Sequence, residues 1–126
     1  GWLWNKPVAF IFIRPERYTY QFIENTDHLT LSFYTEEYRK ALQICGSKSG
    51  RDTDKVKEAG LTPVTTENGQ PTFAEARMTL ECKKLFRSEM SEAQFIDKDL
   101  LKWYGDQPGG SFHTIYAVEI ENIYTK

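Results

Sequence analysis

The chain has 126 residues, a mass of 14.7 kDa and a formal net charge of −2, from 16 Lys+Arg and 18 Asp+Glu. This length predicts one domain over residues 1–126, and 40% hydrophobic with 27% charged residues is ordinary for a soluble globular protein. The near-neutral balance excludes a strong overall attraction to nucleic acid or to an anionic membrane, and the longest apolar run, Val8–Ile13, is too short to cross a bilayer.

The start of the chain and its cysteines give two further expectations. Aromatic residues at a terminus, as in Gly1-Trp2-Leu3-Trp4, are typical of a packed segment, so we expect that an N-terminal piece of the domain is missing from this sequence. Only Cys45 and Cys82 are present, and they form no C-x-x-C pair. Neither a zinc site nor a disulfide framework is therefore predicted, and a reducing, cytoplasmic location is expected.

The first half of the chain alternates strands with short helices. The run Val8–Ile13 is apolar at every position, which predicts a strand covered on both faces. A proline shortly after it suits a first helical turn, and i,i+4 pairs predict a short helix over 16–24. Alternation over His28–Tyr34 predicts a second strand. Thr35, followed by two glutamates, then begins a helix whose apolar stripe includes Cys45.

The second half of the chain is richer in strands. Asn68-Gly69 is a strong hairpin signal after a weak strand. The alternating run Phe73–Phe86 predicts one long strand, with Glu81 on a solvated face. A short helix over 97–104 and a last strand over Phe112–Tyr124 complete the pattern. Because strands dominate and helices are few, we expect a mainly β fold with helical insertions, arranged as a small antiparallel barrel.

Two basic, hydroxyl-rich loops are candidate anion sites. The first places Arg14, Arg17 and Thr19 at a strand-to-helix junction, where guanidinium, hydroxyl and helix N–H groups suit an anion. The second, residues 46–55, combines glycines and serines with Arg51 and Lys55, so backbone and cations could hold a phosphate. Neither matches a P-loop or a dinucleotide-binding fingerprint, and each could instead be an ordinary solvated connection.

The other candidate residues carry weaker signals. His28 and His113 lie far apart in the sequence without metal-ligand spacing, so each is predicted to be a polar strand residue and no metal site is predicted. Cys45 and Cys82 fall on apolar sides of their elements, which predicts unreactive core thiols. No arrangement of a nucleophile with a general base is evident.

Several stretches together resemble one protein family, and the resemblance covers essentially the whole chain. They are Trp4-Asn5-Lys6-Pro7, Arg14-Pro15-x-Arg17-Tyr18-Thr19, Phe22-Ile23-Glu24, the segment from Cys45 to Lys55, Leu80-Glu81-Cys82-Lys83-Lys84, Phe112-His113 and Glu119-Ile120. This pattern resembles the flavin reductase-like proteins, which are FMN-binding split-barrel proteins similar to flavoredoxin. The Ser-Gly-Arg-Asp-x-Asp-Lys stretch is its most specific part.

The resemblance implies an antiparallel, Greek-key split β-barrel that binds FMN and forms a homodimer with the flavin near the subunit interface. It also implies the residues that contact the cofactor. These are Arg14, Arg17 and Thr19 at the phosphate, Ser32 along the flavin, Ser47, Ser49, Gly50, Arg51 and Lys55 at the phosphate and ribityl side, and His113 beside the flavin or nicotinamide pocket.

The function implied by the resemblance is hydride transfer from NADH or NADPH to flavin. The cofactor carries the chemistry in such an enzyme, so no catalytic side chain is required. A first alternative is a non-enzymatic FMN-binding electron carrier that is reduced by a partner protein. A second is a barrel that keeps the fold as a dimerisation module and binds no flavin.

Overall fold

The computed structural model describes residues 1–47, 57, 59–105 and 112–126. Strands and helices follow one another along these residues, and three short 3₁₀ helices cover Glu36–Tyr38, Glu92–Gln94 and Lys98–Trp103. The remaining elements are β1 (Trp2–Leu3), β2 (Lys6–Ile13), α1 (Tyr18–Glu24), β3 (His28–Phe33), α2 (Arg39–Ser47), β4 (Pro63–Thr65), β5 (Pro71–Phe73), β6 (Met78–Glu89) and β7 (Thr114–Thr125).

Five of the strands form one antiparallel sheet in the order β1-β2-β7-β6-β3, while β4 and β5 form a separate hairpin. Strands β2 and β3 are consecutive in the chain but are separated in the sheet by β7 and β6. The connection through α1 therefore crosses the sheet. The predicted mainly β, antiparallel fold with helical insertions is confirmed. No helix in the described part of the chain is long and apolar enough to cross a membrane.

The core lies on one face of this sheet. Side chains alternate between the two faces of a strand, so alternate residues of β2, β3, β6 and β7 point inward, except where the register between β6 and β7 shifts at Glu81/Cys82 and at Lys84/Phe86. Burying these apolar side chains is the main stabilising contribution to the fold. The buried members of the core cluster are Leu29, Leu80, Cys82, Tyr116 and Val118, and the partly buried members include Ile11, Ile13, Ile23, Leu31 and Ile120.

The strand predicted over Val8–Ile13 is confirmed as part of β2, but the prediction that both its faces are covered is wrong. Phe10 and Phe12 are 49% and 53% exposed. They point away from the core, opposite Ala117 and Ile115 of β7. The apolar run therefore supplies the core on one side and an exposed apolar surface on the other.

The single long strand predicted from Phe73 onward is also corrected. Strand β5 ends at Phe73, and β6 begins only at Met78. Between them the Ala76 N–H donates to the Phe73 carbonyl oxygen at 3.1 Å, which closes a turn. This turn reverses the chain, so β5 pairs with β4 and β6 joins the large sheet.

The predicted Asn68-Gly69 turn is confirmed, and its hairpin lies over the outer face of β3 and β6. Gly69 has a φ of +79°, which glycine adopts without strain. The Thr30 hydroxyl donates to the Pro71 carbonyl oxygen at 2.6 Å. The hydroxyls of Ser32, Thr72 and Thr79 form a chain with separations of 3.0 and 2.9 Å. Side chains thus attach this hairpin to the sheet.

Candidate functional site

A cavity of about 370 Å³ lies where β2 ends and α1 begins, and we call it the β2–α1 cavity. Its lining brings together four of the residues predicted to contact a cofactor, although His113 is distant from the others in sequence. The lining consists of Phe12, Ile13, Arg14, Arg17, Thr19, Cys45 and His113. Pairing of β2 with β7 explains the arrangement, because Ile13 lies opposite Thr114, the neighbour of His113.

A tight turn places the two arginines at this cavity. The Arg17 N–H donates to the Arg14 carbonyl oxygen at 3.0 Å. Arg17 has extended backbone angles, with φ −72° and ψ 142°, and it forms the N-terminal boundary of α1. The predicted helix over 16–24 is therefore confirmed with a later start, at Tyr18.

The side chains of the two arginines differ in how many contacts they make. Arg14 Nη2 donates to the Trp103 carbonyl oxygen at 2.8 Å, Nη1 lies 3.8 Å from Glu16 Oε1, and the guanidinium stacks 4.9 Å from the centre of the Tyr104 ring. Arg17 is exposed, and its guanidinium forms no salt bridge with another described residue. Arg17 is therefore the cation more available to an incoming anion.

His113 is a neutral group that lines this cavity. Its Nδ1 lies 2.7 Å from the Tyr104 hydroxyl oxygen. Burial lowers the pKa of His113, and the positive charges of Arg14 and Arg17 lower it further, while Glu16 opposes them. Since the pKa lies below the usual 6.5, the ring is uncharged at neutral pH.

We expect an anion in the β2–α1 cavity to raise the pKa of His113. A bound phosphate would offset the two arginine charges that disfavour the imidazolium. Without ligand, the ring should titrate below pH 6.5, and saturating inorganic phosphate should move that midpoint upward. NMR titration of the two histidine rings measures this, with His28 as the internal control. An unchanged His113 midpoint at saturating phosphate would place the anion elsewhere.

A second cavity of about 690 Å³ lies between the β4–β5 hairpin, β3 and α2, and we call it the hairpin cavity. Its walls are mostly apolar, and Ser32 and Tyr34 contribute hydroxyl groups from the strand β3 side. Burial raises the pKa of Tyr34, so this phenol stays protonated at neutral pH. The lining consists of Thr30, Ser32, Tyr34, Leu42, Cys45, Leu61, Pro63, Val64, Thr65, Pro71, Thr72 and Phe73.

Cys45 lines both cavities. The sequence indicated a core thiol, but the side chain is only partly buried and marks the place where the two cavities adjoin. No pattern in the sequence shows this, since the position depends on how α2 sits against β2 and β3. Cys82 does lie in the core, and burial raises its pKa to about 11, so that thiol is unreactive.

The remaining predicted contacts stay predictions. Ser47 is the last residue of α2. Ser49, Gly50, Arg51 and Lys55 lie outside the described residues. Among the described histidines, cysteines and carboxylates, no group of three or more could hold a metal ion.

Comparison with known proteins decides the family. The model of the flavin reductase like domain matches residues 4–126. The chain belongs to this family. The resemblance inferred from the sequence is thereby confirmed, and the flavin reductase-like chain carries its two cavities within the matched region. Among curated protein sequences, no significant match was found.

Solved structures confirm the fold. An FMN-binding protein from Thermus thermophilus superposes with a TM-score of 0.73 at 18% identity, covering 100% of this chain and 59% of that one. Flavoredoxin of Desulfovibrio vulgaris (Miyazaki F) gives 0.69 at 23% identity, with 95% and 54% covered. A Shewanella frigidimarina NCIMB 400 protein with a split barrel domain gives 0.73 at 18% identity, with 97% and 53% covered. The flavin reductase-like chain thus has the split-barrel fold and spans little more than half the length of these structures.

Proposed function

We propose that this chain binds FMN across its two adjoining cavities, with the phosphate in the β2–α1 cavity and the flavin ring in the hairpin cavity. The observation that carries the proposal is that Cys45 lines both cavities, so a cationic cavity adjoins a larger apolar one. FMN has the matching form, because a dianionic phosphate is linked to a flat aromatic ring. Both volumes fall in the range of about 300–1,000 Å³ that ligand pockets occupy.

The donor groups of the β2–α1 cavity fit a phosphate. Guanidinium groups form charge-assisted, often bidentate hydrogen bonds with phosphate oxygens, and Arg14 and Arg17 supply two of them with the Thr19 hydroxyl beside them. The resemblance adds Arg51 and Lys55 to this set, with Ser47, Ser49 and Gly50. His113, with its lowered pKa, would offer a neutral ring edge.

The walls of the hairpin cavity fit a flat ring. Tyr34 and Phe73 supply aromatic surface and Leu61 supplies aliphatic surface, and aromatic rings pair favourably when offset or edge-on. The Ser32 hydroxyl lines the same cavity and is held by Thr72 at 3.0 Å. These side chains would orient the ring and exclude water from one of its faces.

The activity we propose is oxidoreduction of the flavin reductase class, with NADH or NADPH as the electron donor. Hydride acceptance from a reduced nicotinamide is the chemistry that FMN would supply when bound. The chain's own residues bind and orient the cofactor, and none of them needs to act as a nucleophile or general base. Membership of the flavin reductase-like family supports this assignment.

We also propose a homodimer formed through the outer face of β2, β7 and β6. Phe10, Phe12 and Phe86 are about half exposed there, and Trp4 lies 6.1 Å from Phe86 between ring centroids. Exposed apolar surface of this kind, contributed by several large side chains, is characteristic of interaction sites. A second copy of the same chain would cover it symmetrically.

An FMN titration of the 126-residue chain, followed by flavin fluorescence, tests the binding proposal. Saturable binding is expected, and riboflavin should bind more weakly because it lacks the phosphate. Anaerobic mixing of the complex with NADH or NADPH should then bleach the flavin absorbance. If a reduced electron-carrier protein bleaches the flavin but neither NADH nor NADPH does, the electron-carrier function is favoured. Absence of FMN binding would contradict the binding proposal.

A further inference from the structure

Glu81 is a buried carboxylate on the outer face of the sheet. The sequence predicted a solvated side chain there, but Glu81 is only 4% exposed, so that prediction is wrong. The hairpin lies over this face of β6 and covers the side chain. A carboxylate taken out of water is costly unless hydrogen bonds replace its hydration. The structure therefore has to supply those bonds.

Four donors surround the carboxylate, two from the hairpin and two from β7. From the hairpin, the Thr66 hydroxyl donates to Oε2 and Asn68 Nδ2 donates to Oε1 at 2.9 Å. From β7, Asn122 Nδ2 and the Tyr124 hydroxyl donate to Oε1 at 3.0 and 3.1 Å. Burial raises the pKa of Glu81, but these four bonds together outweigh it and hold the pKa below its usual value.

The charge of Glu81 has no cationic partner in a salt bridge within the described part of the chain. The charge of Glu81 acts on Tyr124 of β7 and on Cys82 of its own strand, and it helps to raise the pKa of each. Glu67 of the hairpin acts on Tyr124, and Glu121 of β7 acts on Cys82, in the same direction. Neutral donors are thus what keep the carboxylate ionised, and two of the four belong to the hairpin turn.

The hairpin depends on such side-chain attachments. A two-stranded hairpin alone is marginally stable in water, and this one is not part of the five-stranded sheet. Its β5 side is held by Thr30 and by the hydroxyl chain from Ser32 to Thr79. Its turn is held by Glu81.

We propose that ionised Glu81 is a positioning residue for the hairpin cavity. It fixes the turn at residues 66–70, and this turn joins the two strands that supply Pro63, Val64, Pro71 and Phe73 to the cavity wall. Loss of the charge loosens that wall and weakens binding of a flat ring, while the β2–α1 cavity is left intact. The ligand part of this inference rests on the proposed function, whereas the hairpin part does not.

Glu81→Gln tests the positioning role, with Glu67→Gln as the matched control because Glu67 is an exposed carboxylate of the same hairpin. Hydrogen exchange of the Thr66, Gly69 and Gln70 amides reports on the turn. In Glu81→Gln these amides should exchange at least tenfold faster, with the amides of the β6–β7 pairing unchanged. Equal exchange in Glu81→Gln and the unaltered chain would overturn the proposal.

Two ligands separate a positioning role from general destabilisation. Riboflavin probes the hairpin cavity, and its affinity should fall at least threefold in Glu81→Gln. Inorganic phosphate probes the β2–α1 cavity, and its affinity should stay within twofold. If the affinities for both ligands fall equally, the substitution only destabilises the whole fold, and the positioning role is overturned. If the unaltered chain binds neither ligand, the proposed function fails, while the exchange data still decide on Glu81.

Two further measurements apply if Glu81→Gln does not fold. Asn68→Ala removes one hairpin donor and leaves the carboxylate in place, so it should speed exchange at the turn in the same direction. In the unaltered chain, the attachment is complete above pH 4.5 and is lost as pH falls below the lowered pKa. Turn protection should therefore decline below pH 4.5 before the core strands lose theirs. Simultaneous loss would overturn the proposal.

Discussion

Replacing Arg17 with alanine should weaken FMN binding at least tenfold. The guanidinium faces the β2–α1 cavity, is exposed, and forms no salt bridge with another described residue. Its donors are therefore available to phosphate oxygens. A hydrogen bond to a charged group contributes about 1.5–3 kcal/mol, which corresponds to about a 10- to 150-fold change in Kd. Fluorescence titration of the variant with FMN measures this change.

Two comparisons make the Arg17 result specific. Riboflavin lacks the phosphate, so its affinity should be the same in Arg17→Ala and the unaltered chain. Arg77→Ala removes an exposed cation outside both cavities and should leave FMN binding unchanged. An unchanged Kd for FMN in Arg17→Ala would remove this residue from the site.

Replacing Phe10 with aspartate should convert a dimer of twice the 14.7 kDa chain mass into monomers. Phe10 lies on the exposed outer face opposite Ala117 of β7, so the monomer tolerates a charge there. In the proposed dimer the same carboxylate is buried without a partner. That costs several kcal/mol, or on the order of a thousandfold in the dimer Kd. Sedimentation equilibrium over a range of concentrations reads the mass directly.

Ile96→Asp is the control for this prediction. Ile96 is 100% exposed and lies in the loop after β6, so the same kind of charge is introduced away from the outer face. Its mass should match that of the unaltered chain. Dissociation by Ile96→Asp but not by Phe10→Asp would move the interface away from the face formed by β2, β7 and β6.

Local patterns predicted the elements that border the β2–α1 cavity. The apolar run of β2, the proline-containing turn and the short helix after it are all determined within a few residues. These elements place Arg14, Arg17 and Thr19 together at the junction between β2 and α1, and the sequence alone indicates this placement. The place of His113 beside them depends on the pairing of β2 with β7, and only the family resemblance supplied it.

Contacts between distant segments were not predicted. The sequence indicated the Asn68-Gly69 turn, but nothing in it shows that the hairpin folds back over β6 and buries Glu81. The alternating sequence pattern of a strand is the same whether its polar face is exposed to water or is covered by a second layer of neutral hydrogen-bond donors. The position of Cys45 between two cavities was missed for a related reason, since a helical stripe does not specify its neighbours.

The contacts of Arg14 with Trp103 and Tyr104 have an entropic consequence for the site. Ordering a flexible side chain on binding costs about 0.5–1.5 kcal/mol. Arg14 has already lost much of its rotamer freedom during folding, so a phosphate meets a preorganised cation there. The exposed side chain of Arg17 keeps its rotamer freedom in the unbound protein and loses it only when the anion binds. One arginine therefore offers a fixed point of attachment, while the other can adapt to the bound anion.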